Sequence, residues 1–144
     1  GNHSSTQFPD FTQATIQDQP LTDIIQDRKW LESNFIERVQ QRGGEIIKAR
    51  GASSAASAAN AVIGSVANIT TETPQDDWYS LAVCSTGQYD VDKDLIFSFP
   101  CQTVDGNIKV VEGLEHDEFG QERLQATLEE LRTERDAVRE MGLI

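Results

Sequence analysis

Positive charge is scarce in this sequence: 12 Lys and Arg stand against 24 Asp and Glu, a net charge of −12. Phosphates of nucleic acid and anionic membrane surfaces are bound through Lys and Arg, so the balance argues against both partners. The acidity itself admits two readings, an ordinary soluble acidic surface or adaptation to high salt, where excess carboxylates keep a surface hydrated. Stability measured against salt separates them. Cysteine is nearly absent. Cys84 and Cys101 are too few for a disulfide framework and fall in separate predicted strands, so free buried thiols of an intracellular, cytoplasmic chain are expected. The single methionine is Met141; a translated chain starts with Met, so the expectation is a piece of a longer polypeptide. No run approaches the roughly 18 apolar residues of a membrane span, and the opening residues lack the pattern of a signal peptide. Two glycosylation sequons, Asn2-His3-Ser4 and Asn68-Ile69-Thr70, are therefore read as chance matches. Also missing are a Gly-rich phosphate loop after a strand, a metal-ligand cluster and a nucleophile elbow.

What remains is 144 residues with 38% hydrophobic content, enough for one domain with a core of its own. Residues 8–26 read as strand and loop: Phe11, Thr12, Thr15 and Ile16 favour β structure between Pro9 and Pro20. Asp27 is a good helix N-cap, and Leu31, Phe35 and Val39 recur behind it at helical spacing. Gly43-Gly44 predicts a break or kink in a helix over 28–49. The Ala-rich stretch Ser53–Ile69 predicts a second helix, tightly packed on more than one side because its side chains are small. Three β signals follow, over 78–83, 94–101 and 107–111. Asp105-Gly106 makes the last two a hairpin, and Pro100 marks an edge position or the end of regular pairing. A closing helix starts at Asp117 and carries the stripe Leu124, Leu128, Leu131, Val138 and Met141, with Gly142 as its stop. Helices and strands are segregated rather than alternating, which predicts an α+β fold.

Two features carry chemical interest. Gly1-Asn2-His3-Ser4-Ser5-Thr6-Gln7 holds a histidine among hydroxyl residues, and imidazole is the side chain that exchanges a proton near neutral pH. His116, at the start of the last helix, is read as a surface residue. Ser53 or Ser54 can cap the Ala-rich helix, whose free N–H groups would then face an anion; the alternative is capping alone.

The Gly1–Gln7 segment, Val39-Gln40-Gln41-Arg42-Gly43, Ile47-Lys48-Ala49-Arg50 and Ser53-Ser54-Ala55 with Ser57-Ala58-Ala59 together resemble the lactate/malate dehydrogenase family, in its malate dehydrogenase branch. Asp94-Leu95, Phe97-Ser98-Phe99-Pro100 and Val110-Val111-Glu112-Gly113-Leu114 fit the same branch. Gly51-Ala52 within the serine motif is a conservative departure. The resemblance implies the C-terminal substrate domain over residues 1–144, with the NAD-binding N-terminal domain absent from this chain. It implies reversible oxidation of malate to oxaloacetate, with His3 as proton acceptor and donor, Ser53 lining the substrate site and Gly43 in a turn approaching it. The aspartate that orients the histidine, the arginines that clamp the substrate and the residues that bind NAD belong to the absent half. It also implies a homodimer, with the Ser53–Ile69 helix as a candidate contact. Two alternatives stay open: a lactate dehydrogenase-like domain, whose relatives carry Gly-Glu-His-Gly where this chain has Asn2 and Ser4, and a non-catalytic interaction domain that kept the fold.

Overall fold

In the computed structural model, which describes all of residues 1–144, a small hairpin comes first, from strands β1 (Thr15–Ile16) and β2 (Gln19–Pro20). The short helix α1 (Leu21–Ile24) leads to a long helical run: α2 (Arg28–Trp30), a π turn over Leu31–Phe35, and α3 (Ile36–Arg50). Helix α4 spans Ala56–Thr70. Strands β3 (Tyr79–Cys84), β4 (Ile96–Val104) and β5 (Asn107–Val110) form an antiparallel sheet with β4 in the centre. Helix α5 (Glu118–Glu140) packs across it. The segregated α+β order is as expected.

Asp27 caps the long run as expected, accepting from the Trp30 N–H at 3.0 Å. Gly43-Gly44 does not break or kink it. Both glycines face open space, and each costs only about 1 kcal/mol in a helix interior. The irregularity lies earlier, at the π turn. A turn with i→i+5 spacing lets Leu31 and Ile36 point the same way, and both are buried with Phe11. The actual stop is Gly51, left-handed at φ 72°.

Along β4, Phe97, Phe99, Cys101 and Thr103 alternate into the core, where Phe97, Phe99 and Cys101 meet Val91, Leu95 and Leu128. Asp105 (φ 52°) and Gly106 (φ 71°) are both left-handed, as a type I′ hairpin turn requires. Pro100 sits in the central strand, paired with Ser80, so the edge alternative is wrong. It does mark the end of regular pairing: β5 stops opposite Cys101, although the Pro100 carbonyl still accepts from Val111 at 2.8 Å. The N–H that proline lacks would have served the Val111 carbonyl, which instead accepts from the Tyr89 hydroxyl at 2.6 Å.

Three other expectations need correction. Cys84 is exposed, whereas Cys101 is buried and burial pushes its thiol pKa up. Met141 is 71% exposed, so the apolar stripe of α5 ends short of it. The Ala-rich helix α4 has no buried residue at all. It is tied to the sheet at its C-terminal end, where the Thr103 hydroxyl donates to the Asn68 carbonyl at 2.8 Å. Val62, Ile63 and Val66 along it stand in solvent. The small side chains therefore do not pack within this chain.

A charged clamp joins the loop before β4 to α5. Asp92 accepts from Arg132 at 2.5 Å and from Arg135 at 2.7 Å. These two guanidiniums, Arg132 foremost, hold the Asp92 carboxyl well below the usual carboxylate range. A depressed folded-state pKa contributes stability above the unfolded value of about 3.9, and loses it as pH falls through the folded value. The stability gap between wild type and Asp92→Asn should thus be constant near neutrality and narrow below about pH 4, as acid titrations followed by circular dichroism would read.

Candidate functional site

The histidine segment is docked by its neighbours rather than by its own side chain. The Gly1 N–H donates to the Ser98 carbonyl at 3.1 Å, seating the segment on β4 just past the end of β5. Gly1 also lies so close to α5 that a Cβ there would stand 2.5 Å from Thr127 Cγ2. The Asn2 N–H donates to the hydroxyl of Thr127, which is 0% exposed, at 2.8 Å, and Asn2 Nδ2 donates to Glu134 at 3.1 Å. Beyond His3, the hydroxyls of Ser4 (2.5 Å) and Thr6 both donate to Oε2 of Glu130. Those two hydroxyls, with Asn2 as a smaller contributor, hold the Glu130 carboxyl below its ordinary range. Gln7 completes the attachment: its Nε2 donates to the Val39 carbonyl at 3.2 Å, and its own carbonyl accepts from Gln40 at 2.9 Å. His3 is exposed between these anchors, and its imidazole makes no hydrogen bond in the chain.

Of the other two expected site residues, Gly43 lies in α3 and Ser53 just beyond it. Gly43 is in the middle of that helix, one turn past Val39, and not in a turn. Nothing lies within 4 Å of where a Cβ would stand there. Ser53 lies in the connector between α3 and α4, on the order of 10 Å further along the helix axis. Neither Ser53 nor Ser54 caps α4: the N-cap position is Ala55, with no side-chain hydrogen bond. Instead the Ser53 carbonyl accepts from Arg50 at 2.8 Å, which leaves its hydroxyl exposed. The structure links His3 to the Gly43 helix through Gln7. No hydrogen bond joins His3 or Gly43 themselves to Ser53; the tie from α3 is the one from Arg50.

A cleft of about 700 Å³ lies elsewhere. Gly1, Phe97, Phe99, Tyr89, His116, Leu124 and Leu128 line it, and none of His3, Gly43 or Ser53 does. His116 there corrects its reading as a surface residue. Its side chain is 14% exposed, its Nε2 lies 3.2 Å from Asp10, and it meets Tyr89 edge-on. The sequence reading also passed over Thr127 and Glu130, naming only the apolar stripe of α5. The available signal was that Thr127, Glu130 and Glu134 recur at i, i+3 and i+7, a polar face adjoining the leucine stripe.

Comparison with known proteins gives this arrangement its context. Residues 1–141 match the family model for the lactate/malate dehydrogenase, alpha/beta C-terminal domain. The chain is 53% identical over all 144 residues to a malate dehydrogenase of Rhodococcus opacus, spanning 44% of that relative. Its fold is similar to malate dehydrogenase from Naegleria fowleri at a TM-score of 0.87 and 41% identity, covering 100% of this chain and 43% of that one. Similar also is Trichomonas vaginalis lactate dehydrogenase in complex with NADH and oxamate, with a TM-score of 0.85 and 28% identity, covering 100% and 46%. The chain therefore belongs to the lactate/malate dehydrogenase family, as its C-terminal domain. It spans less than half the length of these relatives.

Proposed function

We propose that this chain is the substrate half of an NAD-dependent malate dehydrogenase, in which His3 exchanges the substrate hydroxyl proton. The observation that carries the reading is the 53% identity to a malate dehydrogenase over every residue of the chain. The docked segment supports it, because it leaves the His3 imidazole exposed and without a protein partner while its neighbours are held. In oxidation the free ring nitrogen accepts the hydroxyl proton of malate; in the reverse direction it returns the proton to the forming alkoxide. Ser53 offers an exposed hydroxyl to the same substrate, and Gly43 offers an open helix surface.

NAD is the implied cofactor, but the residues present do not fit it. No Gly-rich turn follows a strand, and α4 begins without a side-chain cap. Its binding falls to the portion of the relatives that this chain does not cover. The exposed apolar run on α4 would meet a second copy of the protein in a homodimer, in a cytoplasmic setting.

Two outcomes test the reading. The purified 144-residue chain should show no turnover with malate and NAD, while the full-length protein should turn over oxaloacetate far faster than pyruvate with NADH. A preference for pyruvate would instead favour a lactate dehydrogenase, the reading supported by the likeness to the Trichomonas enzyme. Turnover by the isolated chain would refute the division of labour.

A further inference from the structure

We propose that Glu130 and Thr127 of α5 are positioning residues that set where the His3 imidazole stands, an inference resting on the assignment of His3 as the proton-transfer group. The residue before the histidine and the hydroxyl residues after it are tied to one turn of one helix. Thr127 takes the Asn2 N–H, and a single oxygen of Glu130 takes both the Ser4 and Thr6 hydroxyls. The Thr6 and Thr127 hydroxyls, 3.1 Å apart, close the network. An ionised carboxylate is an acceptor only, so it suits two O–H donors converging on it. The imidazole has no hydrogen bond of its own within the chain, so these backbone and hydroxyl anchors define its origin.

That placement matters because proton transfer needs heavy atoms within about 2.6–3.2 Å, and a misplacement near 1 Å can cost on the order of 10²-fold in rate. The network is separable from folding. Leu124, Leu128 and Leu131 make the α5 contact with the sheet, from a different face of the helix. The ties of the segment to Ser98, Val39 and Gln40 do not involve Glu130.

The test uses the full-length protein with Glu130→Leu, Glu130→Gln and Thr127→Val, measuring malate oxidation and thermal unfolding. Glu130→Leu should lower kcat by roughly 10-fold or more, within the range for misplaced groups, with little change in KM or melting temperature. Glu130→Gln keeps a carbonyl oxygen as acceptor and should restore most of the loss, which a merely structural role would not do. Thr127→Val, nearly isosteric, should lower kcat in the same direction. Wild-type kcat in Glu130→Leu overturns the proposal, as does a loss confined to KM or one that Glu130→Gln fails to restore. If Glu130→Leu does not fold, Thr6→Val removes a donor from the half-buried segment and decides the question by the same kcat criterion. His3→Asn serves as the control. Should it keep full turnover, the assignment of His3 fails; should it lose turnover while Glu130→Leu does not, only the positioning role fails.

Discussion

Replacing His3 by Asn in the full-length protein should lower malate oxidation by roughly 10²–10⁴-fold, the usual worth of positioned acid–base catalysis. Asn is close in size and keeps hydrogen-bonding groups, but has no group that takes up a proton near pH 7. The structure makes this a clean substitution. His3 is exposed and makes no hydrogen bond, while Asn2, Ser4, Thr6 and Gln7 hold the segment to α5 and α3. Melting temperature should accordingly stay near wild type, and the loss should appear in kcat with the apparent affinity for NAD little changed. Steady-state kinetics beside a thermal melt read both. An undiminished rate would leave the chain as a fold without this chemistry, which is what the reading as a non-catalytic interaction domain expects.

In the homodimer proposed for the full-length protein, Ile63→Arg on α4 should give monomers at micromolar concentration. Ala59, Val62, Ile63 and Val66 fall at i, i+3, i+4 and i+7 of α4 and share one face. Val62, Ile63 and Val66 are each more than half exposed here, an apolar run that a soluble surface does not usually leave uncovered. Placing an unpaired guanidinium in such a contact costs several kcal/mol. Since each 1.4 kcal/mol is tenfold in affinity, the dimer dissociation constant should rise about 100-fold or more. Ala59→Trp should act in the same direction through bulk alone. Sedimentation velocity over a concentration series measures the shift. If both variants remain dimers but melt at lower temperature, the helix packs against the other half of its own polypeptide instead.

Local chemistry carries the parts of the fold that could be read from the sequence. Asp27 and Asp117 announce helix starts because a carboxylate one residue outside a helix meets free amides, and both accept such bonds here. Asp105-Gly106 announces the hairpin because both residues must be left-handed. The leucines of α5 declare their face by spacing. What failed depended on surroundings. Gly43-Gly44 looked like a break, but two exposed glycines are a modest cost to a helix whose neighbouring turns persist. The small residues of α4 looked like close packing, yet none of them is buried within this chain. His116 reads as a surface residue because its partner Asp10 is remote in sequence. For the candidate site, the interesting histidine was legible as a residue type. The carboxylate and hydroxyl that seat its neighbours were not, since they sit more than a hundred positions away on a helix rich in similar charges.

Pro100 has an effect beyond the strand that contains it. Extended in register, β5 would bring Gly113 opposite Ser98, the seat that Gly1 now takes. A residue with an ordinary amide at position 100 could bond the Val111 carbonyl and let the zipper run on. By denying that one donor, the ring reserves a vacant berth on the central strand, and the segment bearing the imidazole moors there.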